Sequence, residues 1–264
     1  MDDANFADDS LPELSSEPDP LDEGRPNDVS LEDSEAPERP EPGSLGFEPS
    51  SELTPDRPRG IDVSVYQRKI DWKAVAAAGV RFAYIRLSYS NALDIRGASN
   101  WDGARGAGVI CGGYHFFRWT RPVEEQVATF LRIFSKTRPY RPALPPALDL
   151  EWDKYAPLKS AADRAALVRG ALAWSKGVEA EIGTRPIIYT GPNFWKELGD
   201  PKDLAQYGLW VARINVPKPK LPPPWTDHVF WQYSDTGSVP GISGKVDLDL
   251  FNGTLQDLAA ASGS

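Results

Sequence analysis

The chain has few of the residues that build disulfide frameworks and metal centres. Its 264 residues include one cysteine and two histidines. A single cysteine excludes an intrachain disulfide, and Cys111 lies in an apolar run that is typical of a buried structural thiol. Because His115 and His228 are far apart in sequence and no glycine-rich phosphate loop is present, we predict no metal site and no cofactor.

Long apolar segments are also missing. No stretch approaches the roughly 18 apolar residues of a membrane span. The first residues, Met1 to Asn5, have neither the basic region nor the apolar region of a secretory signal. We therefore expect no membrane insertion and no recognisable signal peptide. The chain has no run of lysine and arginine residues of the kind that marks a nucleic-acid binder, so we expect no nucleic-acid partner either.

Charge divides the chain into two parts. The formal net charge is −9, but residues 1–59 contain 18 acidic residues and four arginines, a net charge of −14, whereas residues 60–264 have a net charge of +5. The first part holds ten prolines and almost no periodic apolar pattern, so we predict a disordered acidic tail. A solubilising spacer is the simplest role for it, and targeting, delivery or autoinhibition are alternatives. The mildly basic remainder favours polyanionic partners, such as nucleic acid or anionic cell-wall polymers, through electrostatic steering, and the absence of a lysine and arginine run argues against the first of these.

Strand and helix patterns alternate from Gly60 onwards. Five of eight predicted strands are followed by helices. This pattern predicts an α/β fold, a TIM-like β/α barrel of five β/α units plus three further strands, with chemistry gathered at the C-terminal ends of the strands. The predicted strands span 60–64, 82–88, 109–117, 145–152, 186–190, 209–214, 229–233 and 245–250, and the predicted helices span 71–79, 100–107, 122–136, 161–182 and 193–198.

Acidic residues fall at the ends of three of these strands. Asp149 and Glu151 alternate along the fourth strand, so their side chains share one face with Cα atoms roughly 6–7 Å apart. Asp62 ends the first strand, and Asp247 lies in the eighth, which neighbours the first if the barrel closes. The alternative is that these are solvated acids of an edge strand, helix caps or loop residues.

A convergent acid cluster without metal ligands suits glycoside cleavage. One carboxylic acid protonates the leaving oxygen while negative charge supports the oxocarbenium-like centre. Like-charge repulsion keeps at least one acid protonated near neutrality. Aromatic residues at the strand ends would carry the sugar rings, although each taken singly is more typical of a core position than of a ligand contact. The predicted substrate-binding residues are Tyr114, Tyr189 and Trp231, which we expect to line a groove, together with Trp210, Gln232, Tyr84 and Arg86.

Nine short segments, in order, resemble glycoside hydrolase family 25, the lysozymes of Chalaropsis type. Together they are spread over residues 60–253, which is nearly the whole of the predicted folded part. The matching residues are Gly60 to Ser64, Phe82 to Ser88, Gly113 to Phe116, Gln126 with Phe130, Leu148 to Glu151, Ile188 to Thr190, Leu209 to Ala212, Trp231 to Tyr233, and Val246 to Leu248.

The resemblance implies a catalytic barrel over residues 60–256, followed by a C-terminal tail over 257–264. It implies cleavage of the β-1,4 bond between N-acetylmuramic acid and N-acetylglucosamine in peptidoglycan. By match, Glu151 is the general acid, Asp149 is its partner, and Asp62 and Asp247 are the other two acids of the site. Asp249 departs from the family, which more often has Asn there, and we expect it to add negative charge near the site.

Several alternatives stay open at the level of the sequence. The 2-acetamido group of the substrate, oriented by Asp149, would act as internal nucleophile, or Asp62 or Asp247 would activate water directly. A catalytically silent wall-binding module and an endo-glycosidase on another N-acetyl sugar polymer are the alternative functions. The expected partner is the peptidoglycan glycan strand, bound by a monomer, with delivery machinery or an immunity protein as further candidates. We expect action at the cell wall, extracellular or periplasmic, after delivery by a non-Sec route such as phage lysis or an injection system.

Overall fold

The computed structural model describes residues 57–137 and 143–263. The acidic tail predicted for residues 1–59 lies almost wholly outside these residues and stays a prediction. The strands are β1 (Arg59–Val63), β2 (Phe82–Tyr89), β3 (Ala92–Leu93), β4 (Ile110–Phe116), β5 (Ala147–Asp149), β6 (Ile187–Thr190), β7 (Gly208–Ala212), β8 (Phe230–Gly237) and β9 (Val246–Phe251). The helices are α1 (Trp72–Ala77), α2 (Gly97–Gly106), α3 (Val123–Thr137), α4 (Ala161–Ile182), α5 (Pro192–Glu197) and α6 (Leu255–Ala261).

Eight of the strands close into a barrel, as the alternating pattern predicts. Their order is β1-β9-β8-β7-β6-β5-β4-β2, and β1 also pairs with β2. From β2 through to β8 the barrel neighbours run parallel. In contrast, β9 is antiparallel to both β8 and β1. The prediction of an α/β barrel whose last strand meets its first is therefore confirmed. The sequence did not predict that β9 runs in the opposite direction to its neighbours.

Local sequence signals set the ends of the helices. The Asp71 carboxylate accepts hydrogen bonds from the backbone N–H groups of Lys73 and Ala74 and so caps α1. The Ser160 hydroxyl likewise caps α4, which ends at Gly183 with φ of +67°. These caps are the kind of signal that sequence analysis detects, because they depend on residues a few positions apart.

Two short elements differ from the sequence expectations. The two-residue strand β3 pairs with the end of β2, where a loop was expected, because two residues are too few to show an alternating pattern. Helix α6 crosses the boundary placed between residues 256 and 257. It is capped by Thr254, and it buries Leu258 completely, so this part of the predicted tail packs on the barrel.

Apolar clusters fill the inside of the barrel and cover its outside. Phe82, Tyr84, Trp210 and Phe230 belong to the cluster that fills the barrel interior. A larger cluster packs the outer face of the strands against the helices, and a smaller one covers β7, β8 and β9. Side chains alternate along the strands between the interior and the outer clusters. In the described residues no helix is long and apolar enough to cross a membrane.

Candidate active site

Four carboxyl groups converge at the C-terminal end of the parallel strands, which we call the mouth. Asp62 of β1 is directly paired with Asp247 of β9, and Asp149 ends β5 beside Tyr189 of β6. Burial raises the pKa of the Tyr189 hydroxyl, and the charges of Glu151, Asp149, Asp62 and Asp247 raise it further, in that order. All four predicted acids therefore lie close enough to the Tyr189 hydroxyl to raise its pKa.

Asp149 is the buried member of the carboxyl pair. It is 6% exposed, whereas Glu151 is half-buried. Burial raises the pKa of Asp149 most, and the neighbouring Glu151 raises it further, while Arg86 opposes the increase. In the described part of the chain, Asp149 Oδ1 has no hydrogen-bond partner. The repulsion between Asp149 and Glu151 that the sequence predicts is thus present. It favours a state in which these two carboxyl groups hold one proton between them.

A hydrogen-bonded chain connects three of the predicted residues across the mouth. The Tyr189 hydroxyl donates to Gln232 Oε1 at 2.8 Å. Gln232 Nε2 in turn donates to Asp62 Oδ2 at 2.7 Å. This arrangement orients the Asp62 carboxylate, and it shows that Gln232 points into the barrel.

Asp249 lies one layer deeper than Asp247 and is completely buried. It pairs with Gly60 on β1, and its Oδ1 accepts a hydrogen bond from Trp210 Nε1 at 2.9 Å. Burial raises the pKa of Asp249 well above its usual value, and Asp247 raises it further. Hydrogen bonds with Trp210 and Asp62 oppose this increase. The raised pKa weakens the tendency of Asp249 to carry the negative charge that we expect near the mouth.

Arg86 is held beside the acids by a buried ion pair. Its Nε donates to Asp94 Oδ2 at 2.7 Å, and its guanidinium lies 5.3 Å from the Tyr66 ring centroid and 5.1 Å from that of Tyr89. Asp94 also accepts a hydrogen bond from the Val65 N–H at 3.0 Å. Sequence reasoning missed Asp94, because it follows β3, which was expected to be loop.

Trp210 is the centre of an aromatic floor beneath the acids. Its ring centroid lies 4.5 Å from that of Tyr84, 4.9 Å from that of Tyr189 and 6.4 Å from that of Tyr114. Tyr84 is completely buried and donates its hydroxyl to the Pro145 carbonyl at 3.1 Å. Tyr84 and Trp210 therefore lie within the packed interior, whereas Tyr189 reaches the carboxyl groups.

Trp231 does not line the mouth, so that expectation is wrong. Phe230 and Gln232 point into the barrel, and alternation directs the residue between them outward. Trp231 is completely buried in a separate outer cluster with Val211. Its Nε1 donates to the Arg213 carbonyl at 2.8 Å. The sequence prediction was based on the number of aromatic residues at strand ends. It did not apply the alternation of side chains along β8, which directs Trp231 outward.

His115 and Cys111 are buried side chains with structural roles. His115 is completely buried between Ser88 Oγ at 2.7 Å and Gln126 Oε1 at 3.1 Å. Burial lowers its pKa to about 3, so the ring is neutral. Burial raises the pKa of the Cys111 thiol to about 12, which makes it unreactive. Within residues 57–137 and 143–263, no group of three or more His, Cys, Asp or Glu side chains is arranged to hold a metal ion.

Comparison with known proteins gives a consistent result. The family model for Glycosyl hydrolases family 25 matches residues 61–242, a stretch that includes Asp62, Asp149 and Glu151 and ends before Asp247. The chain is 34% identical to the protein YegX of Escherichia coli strain K12, over 76% of this chain and 72% of YegX. It is 33% identical to Lysozyme M1 of Streptomyces globisporus, over 76% of this chain and 70% of that protein. The crystal structure of the bacterial lysozyme from Streptomyces coelicolor superposes with a TM-score of 0.69 and 30% identity, covering 78% of this chain and 96% of that one.

Proposed function

Because the chain belongs to glycosyl hydrolases family 25, we propose a role for each of the four carboxyl groups at the mouth. The protein is a muramidase, a glycoside hydrolase that acts on peptidoglycan. We place its cleavage at the β-1,4 bond between N-acetylmuramic acid and N-acetylglucosamine. The observation that carries the assignment is the convergence of Asp62, Asp149, Glu151 and Asp247 around the Tyr189 hydroxyl.

Glu151 is the proton donor in this proposal. Asp149 and Glu151 are close enough that the charge of one raises the pKa of the other, so the pair titrates as a unit. Glu151 is the more exposed member, and it can therefore reach a glycosidic oxygen that enters the mouth. Transfer of its proton to that oxygen breaks the bond between the oxygen and the anomeric carbon and releases the leaving sugar as an alcohol.

Asp149 orients the 2-acetamido group of the sugar whose bond is cleaved. Its Oδ1 lacks a partner in the described part of the chain and is available to the acetamido N–H. As Glu151 gives its proton to the glycosidic oxygen, the acetamido carbonyl oxygen attacks the anomeric carbon and displaces that oxygen, while the Asp149 carboxylate polarises the acetamido N–H. Water then opens the ring so formed at the anomeric carbon, and the Glu151 carboxylate takes up the proton that the water loses. The adjacent position of the two acids favours this route over two carboxylates facing across a sugar.

Asp62 and Asp247 stabilise the positive charge that develops on the sugar ring. Asp62 is fixed by Gln232 at 2.7 Å, which gives it a defined direction. The rival route, in which Asp62 or Asp247 activates water for direct displacement, predicts inversion at the anomeric carbon. Substrate assistance predicts retention, so NMR of the initial product on soluble glycan separates the two routes.

The test of the acid assignment is Glu151→Gln, compared with Glu179→Gln as a control. Removing the proton donor is expected to lower turnover by about a hundredfold or more, while sedimentation with purified peptidoglycan stays unchanged. Glu179 lies on α4 and pairs with Arg185 at 3.2 Å, away from the mouth, so its substitution should leave turnover as in the wild type. A near wild-type rate for Glu151→Gln would show that the assignment is wrong.

Mass spectrometry of the digestion products tests the bond specificity. Muramic acid at the new reducing end is the expected result. N-acetylglucosamine at that end, or cleavage of chitin at a comparable rate, would contradict the proposed specificity. Wall binding without release of reducing ends would favour the silent binding module instead.

We also propose that the protein acts as a monomer at the cell wall, outside the cytoplasmic membrane, where its substrate lies. All four acids of the mouth come from one chain, so a second copy is not required to complete the site. Delivery through phage lysis or an injection system, with an immunity protein as partner in the second case, stays a prediction. Size-exclusion chromatography tests the monomer, and the neighbouring genes test the route.

A further inference from the structure

Two large aromatic side chains are exposed directly after the proton donor. Trp152 is 40% exposed and Tyr155 is 44% exposed. Both belong to the loop between β5 and α4, which follows the C-terminal end of a barrel strand and so lies at the mouth. Exposed aromatic side chains next to an active site are typical of binding surfaces, because the ring offers an apolar face at little cost in conformational entropy.

The side chain of Trp152 is fixed although it is exposed. Its Nε1 donates to Glu197 Oε2 at 2.7 Å. The ring also packs at 5.4 Å from the Phe194 ring, at 76° to it. Because these contacts define the orientation of the indole before any ligand arrives, binding does not have to order it.

The loop that carries Trp152 is itself clamped. Arg118 Nε donates to Asp153 Oδ2 at 2.6 Å in a buried ion pair. Asp153 Oδ1 accepts a hydrogen bond from the Tyr155 N–H at 2.8 Å. Trp119 Nε1 donates to the Ala156 carbonyl at 2.7 Å. The loop after β4 therefore holds the loop after β5 just beyond Glu151 and Trp152.

The two exposed rings differ in what already contacts them. The Arg118 guanidinium lies 5.4 Å from the Tyr155 ring centroid, and the Lys154 ammonium lies 4.9 Å from it. Tyr155 is therefore engaged in two cation–π contacts. Trp152 has a hydrogen bond at its nitrogen and one ring neighbour, and it is the better candidate for a ligand.

We propose that Trp152 is a stacking site for a sugar ring of the glycan strand next to the cleaved bond. This inference rests on the proposed role of Glu151 as proton donor. Trp152 directly follows Glu151, and it is held at the mouth by Glu197 and Phe194 of α5 with part of its ring exposed. A sugar next to the bond that Glu151 cleaves can reach this ring, and the apolar face of a pyranose ring matches an indole.

The test compares Trp152→Ala, Trp152→Phe and Leu255→Ala with the wild type on soluble, peptide-free glycan strands. Leu255 is a control of similar character, since it is 51% exposed and lies at the start of α6. For Trp152→Ala we expect KM to rise about tenfold, as the loss of one stacked ring implies, with kcat within about threefold. Trp152→Phe should restore most of the loss, because it keeps an aromatic face, and Leu255→Ala should behave as the wild type.

The outcomes separate this inference from the proposed function. An unchanged KM for Trp152→Ala would overturn the stacking site, and so would a fall in kcat at constant KM, because that result would mean that Trp152 acts by placing Glu151. Glu151→Gln is measured in parallel. If Glu151→Gln is inactive and Trp152→Ala is normal, only the stacking site fails. If Glu151→Gln is active, the proposed function fails whatever Trp152 does.

Discussion

Arg86 is the residue whose charge opposes the repulsion between the acids of the mouth. It lowers the pKa of Asp149, which burial, Glu151 and Asp247 raise, and it lowers the pKa of Tyr114. Its position is set by Asp94, by the rings of Tyr66 and Tyr89, and by the bulge between residues 86 and 88. The titratable and charged groups that face Asp149 are Glu151, Arg86 on β2, Asp247 on β9, Tyr114 on β4 and Tyr189 on β6.

Arg86→Gln is expected to move the pH–rate profile to higher pH. Loss of the cation raises the pKa of Asp149 further, so the carboxyl pair gains and loses its shared proton at higher pH. Both limbs of kcat/KM should therefore shift upward, and Arg86→Lys should give a smaller shift because it keeps the charge. A lower rate with an unmoved profile would mean that Arg86 only supports the structure or binds substrate.

Asp249→Asn is expected to stabilise the protein at neutral pH. The pKa of Asp249 is raised on folding, so the folded state holds the proton more tightly than the unfolded state does. Stability from this group is present below the unfolded pKa of about 3.9 and is lost as pH rises toward the folded pKa. The amide cannot ionise, so Tm should rise by about 2–4 °C for each kcal/mol recovered.

Calorimetry from pH 4 to pH 8 checks this prediction. The difference in Tm between Asp249→Asn and the wild type should shrink toward pH 4. A difference that is independent of pH would contradict the account, because it would reflect packing rather than ionisation.

At the scale of elements, Gln126 connects helix α3 to the loop after β4. Its Oε1 accepts from the Arg118 N–H at 3.0 Å, and its Nε2 donates to the carbonyls of Arg118 at 2.9 Å and Arg121 at 3.2 Å. His115 completes the set at 3.1 Å. The same loop carries Arg118 to Asp153, so one buried amide supports the segment that follows Glu151.

Gln126→Met is expected to destabilise the fold far more than Gln206→Met. The first substitution leaves several buried backbone and ring groups unpaired, at about 1–3 kcal/mol each. Gln206 makes one exposed hydrogen bond, to the Asp203 carbonyl at 2.7 Å, so its loss should change the free energy of unfolding by less than about 0.5 kcal/mol. Urea denaturation of both variants measures the difference, and equal effects would contradict the supporting role of Gln126.

Elements and acids were predictable from sequence for the same reason, because both depend on local periodicity. Alternation placed Asp149 and Glu151 on one face, and the caps at Asp71 and Ser160 lie next to their helices. Asp94 was missed, since it reaches its partner Arg86 through the hairpin between β2 and the two-residue strand β3. Trp231 was misplaced because the inward side of β8 is set by barrel closure, which no short segment reveals.

At the scale of the whole molecule, charge is distributed unevenly between the N-terminal residues and the rest of the chain, and this distribution leads to a testable prediction. Residues 1–59 have a net charge of −14, and residues 60–264 have a net charge of +5. An anionic wall is attracted by the barrel and repelled by the tail. The Debye length is about 10 Å at 0.1 M salt, so both effects should depend strongly on ionic strength.

Removal of residues 1–56 is expected to speed wall hydrolysis at low salt and to change little at high salt. The deletion changes the net charge from −9 to +7, so association with an anionic wall should become several-fold faster at about 0.02 M salt, and the gain should vanish near 0.5 M. Turbidity clearance of purified peptidoglycan across that range measures it. A full-length variant with Asn and Gln for the acids of the tail is the matched control. If charge alone acts, this variant should match the truncated chain. If only truncation raises the rate, and does so at every salt concentration, the tail inhibits by covering the mouth and is more than a charged spacer.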